Sequence, residues 1–454
     1  MKKFVALLLA VVMCVAMMAG CGKAPAATEA PAAPAEADPA QTAEPAAEPI
    51  ELRFLTYDAG KNANDEYIRQ IQVDAFNAAN PDIHVTLEFQ CENNSVEYLQ
   101  KLDLLTMSNY EYDICALPSY QNYAERAVKG VFAPVDDMIL ADEGKTYDEV
   151  YSYTAAVDGV NYALPYYPSI YYVLINKDML DAAGLETPAL DWTWDDYRDY
   201  AVAMTSGEGA NKVYGSYMHT WCEYRREALF GTKMDNPYVN PDGTSNMADP
   251  VFKEWLEYIK GMENDGCQIP YRDATATSMA YRDVFFSGKA AMILTGSWII
   301  TDIKNTDSFP HTFQTVFAPM PRWKDSPEGR CEGSATYNAI NANSKNKEAA
   351  YRFLKFVSNE GAALVGEFST RAGADNSVTL AADIEGFENL IDGASLSAIW
   401  NNPKLQANFV ASFPETFAEL DDVYHTESEK YMLDAQDIDT TVKNIADKGA
   451  AILG

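Results

Sequence analysis

The chain has 454 residues, 67 Asp and Glu against 34 Lys and Arg, and a formal net charge of −33. That balance excludes nucleic acid as a partner class and docking on anionic lipid by charge, since both need a basic surface. It favours a soluble body and leaves a neutral or cationic ligand open.

In chain order, Lys2 and Lys3 precede an apolar run from Phe4 to Met18, and Ala19-Gly20-Cys21 follows as a small-residue cleavage site ending on cysteine. About 15 apolar residues are too few to cross a ~30 Å hydrocarbon layer as a helix, so the segment reads as a secretory signal. It resembles a bacterial lipobox, with Met18 where Leu is usual and Cys21 as the lipidated residue. Removing residues 1–20, which hold two lysines and no acid, takes the net charge to −35. Residues 22–49 are almost entirely Ala, Pro, Glu and Thr and cannot bury enough apolar surface to order. At ~3.1 Å per residue they form a tether of roughly 80 Å.

The remaining 400 or so residues are too many for one core and fit two lobes. Ile50, Leu52 and Phe54 alternate as a strand, and Ile68, Ile71, Ala75 and Ala79 place a helix over Asp65–Ala79. Asn80-Pro81-Asp82 ends it, and Ile83, Val85, Leu87 and Phe89 alternate strictly. Val96–Met107 reads as a helix and Tyr112–Leu117 as a buried strand leading to the Pro118-Ser119-Tyr120 loop. This β-α-β-α-β order predicts a mainly parallel sheet, with ligand at the loops beyond the strand C-termini. Tyr57, Asp58 and Tyr120 fall on that rim.

A second lobe is expected from near Tyr172. Thr193-Trp194-Asp195-Asp196 has the form of a capping box. Ala290–Leu294 reads as a strand entering Thr295-Gly296-Ser297-Trp298, and Lys347–Ser358 as an amphipathic helix. With Cys14 and Cys21 in the leader, Cys91, Cys115, Cys222, Cys267 and Cys331 remain, with no C-x-x-C pair. They suggest neither zinc nor a disulfide framework, but buried small side chains. No G-x-S-x-G or H-E-x-x-H occurs, and His84, His219, His311 and His425 are isolated. A pair of acids for glycoside hydrolysis is always available among 67 and argues for nothing.

Several stretches together resemble the extracellular solute-binding proteins of ATP-driven sugar importers, the maltodextrin-binding type. They are Phe76–Val85, Gly130–Asp137 (G-x-x-x-P-x-D-D), Asp158–Pro165, Asn176–Leu180 with Ala183-Gly184-Leu185, Phe286–Met292 and Gly296-Ser297-Trp298. Ile175 departs from the family's usual Tyr, and little beyond Gly366 matches. The resemblance implies an α/β, two-lobed, periplasmic-binding-protein-like fold of type II. Each lobe would be a mainly parallel sheet flanked by helices. Three hinge crossings are expected, near Pro168–Tyr171, Phe317–Pro321 and Glu367–Gly373. The first lobe would take residues 50–168 and 320–367, and the second 169–319 and 368–454. No enzyme activity, cofactor or metal is implied. The expected partners are a carbohydrate and the transmembrane subunits of an ABC permease, fed by a lipid-anchored monomer outside the cell. A sensor subunit presenting ligand to a membrane kinase would share this fold, and an anchored hydrolase is the rival class.

Sugar rings need flat aromatic faces, and their hydroxyls need fixed polar groups. Trp298, after a strand and a Gly, matches the family's stacking aromatic, the alternative being core packing beside Ile299 and Ile300. Tyr57, Asp58 and Tyr120 are rim candidates, and Tyr166 and Tyr167 precede the first crossing. Trp221 lies in an aromatic stretch with Tyr217 and Tyr224. Arg371 could bond ligand hydroxyls or pair with a surface acid, and Trp400 sits in an Asn-rich turn.

Overall fold

The computed structural model describes residues 48–454 except 63, 154, 222–223, 227, 230–235 and 409–415, with backbone alone at 332, 334 and 406–408. The expected signal, the expected anchor at Cys21 and the expected tether up to residue 47 lie outside the described residues, as does Cys222.

Eleven strands are described: β1 (Ile50–Thr56), β2 (Ile83–Phe89), β3 (Ile114–Leu117), β4 (Ala156–Val157), β5 (Val160–Asn161), β6 (Ala163–Asn176), β7 (Tyr214–Tyr217), β8 (Ala290–Gly296), β9 (Thr315–Pro319), β10 (Arg330–Ile340) and β11 (Gln406–Asn408). All but the small β4–β5 hairpin join one sheet, in the order β2-β1-β3-β10-β6-β8-β7, with β9 on β6 and β11 on β10. The expected parallel pairs are β1 with β2 and β3, and β7 with β8. The two long strands make it a mixed sheet, since β10 runs antiparallel to β3 and β6, and β6 antiparallel to β8 and β9.

Helices flank this sheet. The first, Ile68–Ala79, begins three residues later than periodicity suggests because Asp65 adopts a left-handed turn (φ 64°) and Tyr67 is extended. Tyr120 is not in a loop either. Ser119 caps a helix over Tyr120–Ala127 by accepting the Asn122 N–H. The Thr193–Asp196 capping box forms as expected, with the Thr193 N–H donating to Asp196 Oδ2 at 2.7 Å.

Two buried apolar cores result. One gathers residues from Leu52 to Tyr166 and from Ala335 to Val357. The other gathers Ile170 to Met320, then Cys331, Phe368 and residues from Leu380 to Ile445. β6 passes from one to the other between Tyr166 and Ile170. The return falls inside β10, between Cys331 and Ala335, later than the expected Phe317–Pro321. Met320 and Cys331 are packed into the second core, and Arg322 fastens the intervening loop to the Asp191 carbonyl. Glu367 lies on the third passage, between Val357 of the first core and Phe368 of the second.

Prolines inside β6 are tolerated through a bulge. Thr336 pairs with Tyr167 and Tyr337 with Pro165, so Tyr166 is the extra residue.

Candidate functional site

Residues alternate along β6, and two tyrosines past the crossing they point to opposite faces. Tyr172 packs edge-on against Phe317 in the core, 5.4 Å between centroids, while Tyr171 meets Trp298 edge-on at 5.4 Å and Tyr224 at 6.0 Å. Tyr171 is paired with Gly296 at the end of β8. A Cβ on Gly296 would lie 2.0 Å from Cζ3 of Trp298, so only glycine lets the indole fold back over the strand end. Ser297 then ties this turn to the crossing, its N–H donating to the Ile170 carbonyl at 3.0 Å.

Trp298 is partly buried, and its Nε1–H donates to the Tyr281 hydroxyl at 2.8 Å. Tyr281 lies 5.4 Å from His219 and 5.9 Å from Trp221, and His219 lies 4.6 Å from Trp221. Tyr171, His219, Trp221, Tyr224, Tyr281 and Trp298 thus form one aromatic cluster beside the crossing. Trp221 is its exposed member at 46%. Sequence reasoning brought Trp221 and Trp298 forward separately; the structure joins them through Tyr281 and His219, which it missed. The Tyr217-x-His219-x-Trp221 alternation at the end of β7 was the available signal. Arg282 sits over the Tyr281 ring at 4.6 Å and pairs with Asp302 at 2.6 Å.

The first-lobe candidates meet differently. Tyr57 packs on Tyr98 at 5.2 Å, and its phenol is pushed up by burial and then by the Asp58 carboxylate. Asp58 Oδ2 receives Nε of Arg69 at 2.7 Å, and its Oδ1 accepts the Gly60 N–H at 3.2 Å. Arg69 is 3% exposed. It donates to Glu367 Oε2 at 3.0 Å, bonds Glu367 Oε1 through its other Nη, and lies 4.4 Å from the centroid of the bulged Tyr166. Burial works against the Arg69 charge, but the carboxylates of Glu367 and Asp58 outweigh it and hold its pKa above the ordinary value. Asp58 is therefore bound to the third crossing through Arg69. Tyr167 is partly buried between these groups: burial, then Glu367 and Asp383, push its phenol up, while Ser297 bonding opposes them.

The other candidates lie apart from the aromatic cluster. The Tyr120 hydroxyl bonds the Ala156 carbonyl and the ring packs on Tyr123 and Tyr337, so it is engaged inside the first core. Arg371 pairs with Glu143, with Nη1 to Oε1 at 2.9 Å, and bridges Tyr151. Arg371 is thus taken up by an acid, but Glu143 is only 10% exposed rather than on the surface, and the pair sits with the first core rather than in the second lobe. Trp400 ends a helix rather than lying in a turn, and Phe368 covers one face at 4.1 Å and 10°. Among the described cysteines, Cys115, Cys267 and Cys331 are buried and Cys91 is partly exposed.

Two cores threaded by β6 and β10, with ligand-type side chains gathered at the passages, define a two-lobed periplasmic-binding-protein-like fold. The sequence profile described as bacterial extracellular solute-binding protein matches residues 59–364. The chain belongs to that family of extracellular solute-binding proteins. A binding protein of Brucella abortus is 27% identical over 303 residues, 62% of this chain, and the match spans 66% of that relative's length. The arabinooligosaccharide-binding protein of Bacillus subtilis is 24% identical over 51% of this chain and 52% of its own. In structure the chain is similar to a sugar transporter of Rhizobium etli in an open conformation, with TM-score 0.71, 23% identity, and 88% and 99% of the two chains covered. An ABC substrate-binding protein of Listeria monocytogenes in complex with cycloalternan gives TM-score 0.71 at 20% identity, covering 88% and 98%. No helix among the described residues is long and apolar enough to cross a membrane.

Proposed function

We propose that this solute-binding protein captures a carbohydrate, an oligosaccharide by preference, and delivers it to the membrane subunits of an ABC importer. The observation that carries this reading is the second-lobe aromatic cluster, with the half-exposed Trp221 and the partly buried Trp298 beside the β6 crossing. Aromatic faces at such a place suit the apolar side of a sugar ring. The relatives that bind arabinooligosaccharide and cycloalternan support it. Other relatives bind sn-glycerol-3-phosphate, and a phosphate would need a free cation. At the cluster Arg282 is paired with Asp302, and Arg225 is 3% exposed and donates to Ser428 Oγ at 3.0 Å.

The reading extends to a monomer with lobes divided near the crossings, closing on ligand by hinge bending, and held outside the cell by lipid on Cys21. Release of a Cys21→Ala chain into the medium would support the anchor, and retention at the membrane would remove it. For the ligand, calorimetric titration with arabinotriose, maltotriose, mannotriose and glycerophosphocholine is decisive. Binding of a trisaccharide is expected. Binding of glycerophosphocholine with no trisaccharide bound overturns the carbohydrate assignment.

A further inference from the structure

We propose that His219 sets ligand specificity in the second lobe by presenting a fixed Nε2–H donor to an oxygen of the bound sugar. The imidazole is held from one side. Its Nδ1 accepts the Trp221 backbone N–H at 3.2 Å and lies 3.5 Å from the Thr220 hydroxyl. A neutral ring whose Nδ1 is an acceptor carries its hydrogen on Nε2. Burial, and then the charge of Arg282, push the His219 pKa down to about 4, so the ring stays neutral near pH 7. The charged groups around it are Arg282, paired with Asp302, and Arg225 and Glu263, which line a small cavity together with His219.

Nothing among the described residues bonds Nε2. Of the neighbouring donors, the Trp298 indole is engaged on Tyr281, Arg282 Nε on Asp302, and Arg225 Nε and Nη1 on Ser428 and the Thr220 carbonyl, while Arg225 Nη2 is buried without a bond among the described residues. His219 thus offers a preset donor at the centre of the rings that face a sugar, within 4.6 Å of the exposed Trp221. The Nδ1 bond also fixes the Trp221 backbone, so one side chain orients the stacking indole and selects an oxygen beside it. A site built around a directed donor discriminates against a ligand that lacks the accepting oxygen, because the donor is then left unpaired.

The inference rests on the carbohydrate reading above. Two variants separate the two ring nitrogens. His219→Asn keeps an acceptor near Nδ1 and removes the Nε2 donor; His219→Gln keeps an amide donor near Nε2 and removes the acceptor. Each is titrated calorimetrically with arabinotriose, maltotriose and mannotriose, beside the wild type and a thermal melt. His219→Asn is expected to weaken the sugar bound by wild type about tenfold and to lose more than His219→Gln. Affinity within threefold in His219→Asn, or the reverse order, overturns the donor role while leaving the sugar reading intact. If wild type binds none of the three sugars, the carbohydrate reading falls and takes this inference with it. Ring ¹⁵N shifts of the unliganded wild type give a readout independent of the variants: the Nε2–H tautomer is expected, and the Nδ1–H tautomer overturns the proposal.

Discussion

Glu427 has no exposed side-chain surface, yet its carboxylate is charged because four donors close on it. Lys430 and Lys448 reach Oε1 at 2.6 and 2.7 Å, and Gln436 and Asn444 reach Oε2 at 3.0 Å each. Burial pushes its pKa up, but these four contacts together bring it down to about 2 from an ordinary 4.5. A depressed carboxylate stabilises the fold above its unfolded pKa, and that contribution fades as pH falls from about 4.5 towards about 2. Glu427→Gln is expected to cost about 2 kcal/mol at pH 7, below the full cost for a buried pair because the lysines remain half exposed. Thermal melts should show the gap to wild type closing below pH 4; a gap independent of pH would mean that packing, not charge, is what Glu427 supplies. None of this was legible in the sequence, where Glu427 is one acid among 67. Trp221 and Trp298 were legible, because large aromatics at strand ends stand out. His219 was passed over as an isolated histidine, since its role depends on a backbone bond two residues on and on rings from other segments.

At the scale of elements, Arg69 fastens four pieces together: its own helix, the Asp58 loop after β1, the Tyr166 bulge of β6 and the third crossing at Glu367. Removing one partner of a buried pair leaves the other charge without compensation, which costs about 3–5 kcal/mol. Arg69→Met should therefore destabilise by that amount in urea melts. The double variant Arg69→Met/Glu367→Gln should lose less than the sum of its single variants, because the orphaned carboxylate is gone. Strict additivity would show that the pair does not couple. Sequence reading found the β1–helix–β2 unit and the Thr193 capping box, since both are local patterns. It placed the first helix start three residues early, where the left-handed Asp65 interrupts a continuous apolar period. It assigned no single strand over Ala163–Asn176. Pro165 and Pro168 argue against a 14-residue strand until the bulge opposite Thr336 and Tyr337 is known.

For the whole molecule, the division into two cores followed from length and from the ordered landmarks between residues 76 and 298. The later return through β10 did not, because what keeps residues 320–331 on the second core is long-range: Met320 and Cys331 packing inward, and Arg322 bonding back to Asp191. Ligand-type side chains end up on both sides of the β6 passage. The first-lobe set, Asp58 with Arg69 and Glu367, is bonded internally. The second-lobe set keeps an exposed indole. On the proposed carbohydrate reading, binding should therefore depend most on the aromatic cluster, and calorimetric titration of Trp221→Ala and wild type with arabinotriose, maltotriose and mannotriose tests this most directly. Loss of the stacking face and its apolar contact should weaken binding about tenfold or more, with the thermal melt unchanged because the side chain is half exposed. Affinity within threefold of wild type would contradict the assignment of the cluster as the ligand site.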